Sequence, residues 1–132
     1  MKIKNFNKFK ESMNKKILIC EKNKSLGIMM KAKLEISGYK VLLVNDGKAA
    51  IDIIENDNTL DMIISELLIP FVTGLEIINY VRNKIKSKIP ILIISNNTEQ
   101  SKIEAFNLGA DEYMSKPISL KELEVRIDKL LN

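Results

Sequence analysis

Histidine and tryptophan are absent from this 132-residue chain, and cysteine occurs once, at Cys20. Without histidine the commonest metal ligand and acid/base side chain is missing, which excludes histidine-dependent triads and zinc sites. A single cysteine permits no internal disulfide and fits a reducing, cytoplasmic setting. No apolar run approaches the roughly 20 residues that span a bilayer, and the basic N-terminus lacks the apolar segment of a secretory signal. Glycine is scarce where a phosphate loop would need it. The stretch Glu21-Lys22-Asn23-Lys24-Ser25-Leu26-Gly27 has one glycine, inside a helical pattern, so neither a dinucleotide fingerprint nor a Walker loop is present. Cys20 precedes that stretch with no histidine to serve as its base, and reads as a core residue.

What is present is an ordinary soluble composition, 45% apolar and 29% charged, in a chain long enough for one domain with a proper core. The formal charge of +4 is unevenly placed. Residues 1–16 hold six lysines against Glu11, a net of +5, and residues 17–132 net −1. The body therefore carries no nucleic-acid footprint and is expected to bind neither nucleic acid directly nor a membrane. Residues 1–14 form a basic extension in which Phe6, Phe9 and Met13 share a helical stripe; it either docks as a short helix or frays. Residues 15–132 form the domain.

Along that body, apolar strands alternate with amphipathic helices. Ile17 to Cys20 is continuously apolar, as a strand buried on both faces should be. A helix over 25–37 follows, with Leu26, Met30 and Leu34 on one face and Gly38 as its left-handed cap. Tyr39 to Val44 is a second strand and Asn45-Asp46-Gly47 a turn. Lys48 to Asn56 is helical, with Ala50, Ile53 and Ile54 inward. Leu60 to Ser65 is the third strand, ending on the acid Glu66. Pro70 and Gly74 punctuate the next loop. Leu75 to Ile85 then makes a helix on Ile78, Val81 and Ile85. Ile91 to Ser95, a helix over 99–108, and Glu112 to Ser115 follow. Ser119 opens the last helix with Glu122 three residues on, a capping box, and its face is Leu120, Leu123, Ile127 and Leu130. Five such alternations with right-handed crossovers predict a doubly wound α/β domain with a parallel five-stranded sheet.

In such sheets, sites form outside the carboxyl ends of the strands. The residues expected there are Glu21 and Lys22, Glu66, Ser95 with Asn96, and Lys116. Ser65 faces away from Glu66 by the strand period and is a poor substitute for it.

Seven segments stand in order at a familiar spacing: Lys16-Ile17-Leu18-Ile19-Cys20-Glu21, Gly38-Tyr39-Lys40-Val41, Asn45-Asp46-Gly47-Lys48-Ala49-Ala50, Asp61-Met62-Ile63-Ile64-Ser65-Glu66, Ile89-Pro90-Ile91, Gly109 through Pro117, and Glu122-Leu123. On these the chain resembles the receiver domain of bacterial two-component response regulators, over about residues 15–131. The resemblance implies a flavodoxin-like fold with strand order 2-1-3-4-5. It also implies a mechanism, in which an Asp ending the third strand accepts a phosphoryl group from a histidine kinase. Two acids after the first strand help that Asp to hold Mg²⁺. A hydroxyl residue and a lysine contact the phosphoryl oxygens, here at Ser95 and Lys116, and an aromatic, here Tyr113, swings inward when the site is occupied.

Two positions depart from that pattern. The acceptor position is Glu66, whose extra methylene moves the carboxylate by about 1.5 Å, where a misplacement near 1 Å can cost on the order of 100-fold in rate. The second metal-site acid is Lys22, a cation in place of a hard oxygen ligand. Conventional Mg²⁺-dependent phosphorylation is therefore expected to be disabled, with no metal or other cofactor held and no catalytic residue assigned. Clustered carboxylates repel unless neutralised, so one reading sets the Lys22 ammonium where the metal charge would be, paired with Glu66 or Glu21. The other leaves Lys22 pointing to solvent over a dead site. Glu66 in turn either mimics the active state or, tied to Lys22, leaves Tyr113 outward.

The resemblance also implies a partner face on the fourth helix, fifth strand and fifth helix, where Lys102, Asp111, Glu112, Glu122 and Arg126 match cross-dimer ion pairs of the winged-helix subfamily. Glu124 falls where that subfamily favours a small apolar residue. Three functions follow. The first is an atypical receiver in signal transduction and transcription regulation, acting through protein contact with an output domain or partner, as a homodimer or not. The second is a receiver still phosphorylated by a histidine kinase, on Glu66. The third is a stand-alone adaptor that keeps only the fold. No output module is visible before Asn132.

Overall fold

The computed structural model describes residues 13–96 and 99–132. Most of the basic extension, including Phe6 and Phe9, lies outside the described residues; Met13 is half-exposed. The elements are β1 (Lys16–Cys20), α1 (Lys24–Ile36), β2 (Lys40–Val44), α2 (Gly47–Asn56), β3 (Met62–Glu66), α3 (Gly74–Asn79, continued by a π-helical stretch, Tyr80–Lys84), β4 (Ile91–Ser95), α4 (Glu99–Leu108), β5 (Glu112–Ser115) and α5 (Leu120–Leu131). All strand pairs are parallel and the order is β2-β1-β3-β4-β5, the doubly wound, flavodoxin-like arrangement.

The continuous apolar runs follow from helices covering both faces of the sheet. Ile17 and Ile19 of β1 pack with Met30 and Leu34 of α1 and with Leu123 and Ile127 of α5. Leu18 and Cys20, one residue out of phase, pack with α2, α3 and α4 through Ala50, Ile54, Ile78, Val81 and Ala105. Ile17, Leu18 and Ile19 are all fully buried, so truncating any one of them to alanine costs about 2–5 kcal/mol.

Helix starts are fixed by side chains that take up otherwise unpaired N–H groups. Asn23 accepts from the Leu26 amide at 3.0 Å, Asp46 from Ala49 at 2.8 Å and Ser119 from Glu122 at 3.2 Å. Only half of the expected capping box forms, because the Glu122 carboxylate turns to Arg126 instead. β3 begins at Met62, and Asp61 just before it is tied to β1, its carboxylate accepting the Lys16 amide at 2.8 Å and its own amide donating to Lys16 O at 2.8 Å.

One predicted inward residue is outward. Ile85 is 41% exposed. The stretch over Tyr80–Lys84 takes an extra residue into its turn, with the Ile85 amide bonded to the Tyr80 carbonyl at 3.1 Å. That rotates the following position by roughly 100° relative to the α-helical pattern.

The loop after β3 is tied closely to its neighbours. The Gly47 amide donates to Pro70 O at 3.0 Å, and a Cβ on Gly47 would lie 1.9 Å from Val72 O. Gly74 is equally constrained, its would-be Cβ lying 2.7 Å from the carbonyl of Glu66. These two glycines let the chain fold back behind the end of β3 and so fix where Glu66 projects.

Candidate functional site

Four charged side chains, from the end of β3 and the loops after β1 and β5, meet above the carboxyl edge of the sheet. Glu21 continues β1, its amide bonded to Val44 O at 3.1 Å, and it is 1% exposed. Its position is held by Asn23, whose amide donates to Glu21 Oε2 at 2.9 Å, and by Asn45, whose side-chain amide donates to Glu21 O at 2.9 Å. Glu66 ends β3 and is 5% exposed. Lys116 is carried by the loop after β5, its amide bonded to Ser95 O at 2.9 Å. Its Nζ lies 2.9 Å from Glu66 Oε1, 3.2 Å from Glu21 Oε2 and 3.1 Å from Glu21 Oε1.

Lys22 reaches Glu66 twice. Its amide donates to Oε2 at 3.3 Å, and its half-exposed ammonium is 3.5 Å from Oε1. Glu66 Oε1 thus sits between two ammonium groups. Glu21 Oε1 is buried and has no hydrogen-bond partner despite its closeness to Lys116.

The protonation energetics follow from burial and these neighbours. Burial pushes the Glu21 carboxyl up, and its hydrogen bond with Glu66 pushes it further. Burial also acts to raise Glu66, but the bonds from Glu21 and Lys116 outweigh it and hold that carboxyl below its ordinary value. Burial works to lower Lys116, and its bonds to Glu66 and then Glu21 raise it instead. The two carboxyls are therefore shifted in opposite directions, Glu21 releasing its proton less readily and Glu66 more readily than a free glutamate.

The chemistry of this donor set is a poor match to Mg²⁺, which takes oxygen ligands in near-octahedral geometry. Both carboxylates are already held by ammonium nitrogen, and the third position is a lysine. Among the described residues no group of three or more Asp, Glu or Cys side chains is placed to hold a metal ion.

Ser95 ends β4 and is 2% exposed; Tyr113 in β5 is 6% exposed, its ring in the core cluster shared with Ile93 and Ala105. The Tyr113 hydroxyl is buried with no hydrogen-bond partner. Cys20 is buried below the site, its thiol donating to Asp46 O at 3.2 Å; burial, then the Asp46 charge, push it up to about 12.

The charges of the α4–β5–α5 face are largely engaged within the chain. Arg126 bonds both Glu112 and Glu122, and Asp111 pairs with Arg82 at 2.9 Å. Lys102 is exposed on α4 and in no ion pair among the described residues. Glu124 accepts the Ser37 hydroxyl across the α1–α5 contact. Two supporting residues escaped the sequence reading. Asn23 had a signal, since an asparagine just before a helix is a favoured cap; Arg82, which also donates to Gly109 O at 3.0 Å, had none.

Comparison with known proteins supplies the family. The family model described as "Response regulator receiver domain" matches residues 17–128. The alkaline phosphatase synthesis transcriptional regulatory protein PhoP of Bacillus subtilis is 34% identical over 120 residues, covering 90% of this chain and 49% of PhoP. The response regulator SaeR of Staphylococcus aureus is 34% identical over 116 residues, covering 87% and 50%. The chain thus spans about half the length of the curated relatives it matches. Among solved structures, the receiver domain of the Francisella response regulator 1452 superposes with a TM-score of 0.83 at 29% identity, covering 89% of this chain and 97% of that one. The chemotaxis response regulator CheY4 of Vibrio cholerae gives a TM-score of 0.83 at 28% identity, covering 90% and 100%. No helix among the described residues is long and apolar enough to cross a membrane. Sheet order, the acids and lysine at the strand ends, and a family match over most of its length agree: the chain belongs to the response regulator receiver domain family of two-component signal transduction.

Proposed function

We propose that this receiver signals by protein contact without conventional Mg²⁺-dependent aspartyl phosphorylation. The carrying observation is Glu66 Oε1 lying 2.9 Å from Lys116 Nζ and 3.5 Å from Lys22 Nζ. In this reading Lys22 supplies the positive charge that a metal supplies elsewhere in the family, and Glu66 supplies the oxygen that Lys116 would take from a phosphoryl group. Two glutamates and two lysines sum to zero charge, so the cluster is neutral without a metal. The buried Tyr113 ring fits the inward arrangement that the family adopts when its site is occupied. The site would then stand closed and engaged, presenting the α4–β5–α5 face to an output domain or partner protein. The matched relatives are named as transcriptional regulators, and regulation of transcription is the process we assign to the protein.

Titration with Mg²⁺ and beryllofluoride, a phosphoryl analogue, tests the reading on wild type, Glu66→Asp and Lys22→Asp/Glu66→Asp. Binding is expected only in the double variant, where the third carboxylate returns and the competing ammonium is gone. Saturable, Mg²⁺-dependent binding by wild type would overturn the proposal in favour of a receiver phosphorylated on Glu66.

A further inference from the structure

Phe71 is 81% exposed, more than any other large apolar residue among the described residues. It is also held in a costly conformation. Its φ is +72°, and the Val72 amide donates across it to Pro70 O at 2.9 Å, the pattern of the rare, strained γ-turn. A bulky side chain persists at positive φ only where its surroundings impose it. Here the Gly47 amide grips Pro70 O at 3.0 Å, and the closeness of Val72 O to Gly47 leaves the turn no slack. Glycine or asparagine would fit the same turn with less strain, so the turn itself does not require phenylalanine.

From this turn α2 and α3 run side by side toward the other end of the sheet. Between them is a hollow of about 440 Å³ lined by Ile51, Val72 and Tyr80, with Glu76 near the start of α3 and Lys84 at its end. The Tyr80 hydroxyl donates to Glu55 Oε1 at 2.8 Å and ties the two helices together. Beyond that bond lies a second hollow of about 340 Å³, with Ile54, Leu60, Ile63, Ile85 and Ile89 on its walls and Glu55, Asp57, Asn58 and Ser87 also lining it. Ile85 is there because the π-helical stretch turned it outward. The face therefore has an aromatic projection at one end and, at the other, a recess of five apolar residues with polar neighbours, with an acid nearer the projection and a base nearer the recess. Neither Glu76 nor Lys84 belongs to an ion pair among the described residues.

We propose that a second copy of this chain docks on this face about a two-fold axis near Tyr80. Glu76 and Lys84 are about 12 Å apart along the helix at 1.5 Å per residue, and such an axis lies midway between them. It sets each Glu76 against the Lys84 of the other copy and carries each Phe71 toward the other copy's recess at Ile85 and Ile89. Both halves of the fit lie on one surface, which is the requirement of an isologous contact and favours a second copy over a different protein. The α4–β5–α5 face stays open, so the pairing is independent of the function proposed above.

Sedimentation of the full chain over a range of concentrations tests it. Wild type is expected to form a reversible dimer. Phe71→Asn, which suits the positive φ, is expected to raise the dissociation constant roughly 30-fold, the change that matches about 2 kcal/mol for a central aromatic anchor. Circular dichroism of that variant checks that it stays folded. Glu76→Lys and Lys84→Glu alone are each expected to weaken the dimer, and the double variant to restore it. A monomeric wild type, a dimer indifferent to Phe71→Asn, or a double variant no tighter than the singles overturns the proposal.

Discussion

Replacing Lys116 with methionine removes the cation common to both glutamates while keeping most of the side-chain volume. In the native site Lys116 Nζ is 2.9 Å from Glu66 Oε1 and 3.1 Å from Glu21 Oε1, and the glutamate side chains are 6% and 1% exposed. Removing one partner of a buried pair costs about 3–5 kcal/mol because the other charge is left uncompensated. Lys116 retains 19% exposure and Lys22 still reaches Glu66, so about 3 kcal/mol is the expected loss at neutral pH. With an m-value of about 1.5 kcal/mol/M in urea, the unfolding midpoint falls by about 2 M.

The pH dependence carries the sharper test. In wild type, Glu21 lies above its ordinary value, so its contribution is full below the unfolded value and is lost as pH rises through the folded one. Glu66 lies below its ordinary value, so its contribution is present above the unfolded value and is lost as pH falls through the folded one. Without Lys116 both carboxyls are pushed upward, and both then favour the folded state only when protonated. The penalty of Lys116→Met should therefore be larger at pH 7.5 than at pH 5, as followed by urea unfolding with far-UV circular dichroism. Equal penalties at the two pH values, or none at either, would refute the charge network described here.

Three further outcomes follow from the same structure. Tyr113→Phe removes a buried hydroxyl that has no hydrogen-bond partner, so thermal unfolding should show unchanged or higher stability, by up to about 1 kcal/mol; a clear loss would reveal a partner for that hydroxyl. Gly47→Ala forces a Cβ to within 1.9 Å of Val72 O unless the loop moves, and should cost more than about 2 kcal/mol in denaturant unfolding. The Cys20 thiol, pushed up to about 12, should resist a thiol-specific reagent at pH 8 in the folded chain and react once the chain is unfolded.

The parts of the fold legible in the sequence were those written in local pattern. β1, β3 and β4 are continuous apolar runs because helices cover both faces, and Ser119 announces its helix by capping chemistry, whereas Asp46 read as a turn residue and caps α2. Glu21, Glu66 and Lys116 could be placed together because a parallel sheet brings its strand ends to one edge. Whatever depended on tertiary geometry was hidden. The outward turn of Ile85 comes from a π-helical stretch that leaves no mark in the apolar spacing. The γ-turn at Phe71 is imposed by contacts with Gly47, far away in sequence. The pairing of Asp111 with Arg82 and of Arg126 with Glu112 depends on which elements meet, so those charges read from sequence, by the family resemblance, as matches to cross-dimer ion pairs. Whether Lys22 turns inward was equally undetermined, since a half-exposed lysine has no sequence signature for the direction of its ammonium.

The most direct test of the central claim is the intact mass of the chain after incubation with Mg²⁺ and a small acyl-phosphate donor. Wild type should show no added phosphoryl group, while Lys22→Asp/Glu66→Asp should gain one. A wild-type chain that acquires a phosphoryl group on Glu66 would contradict the account.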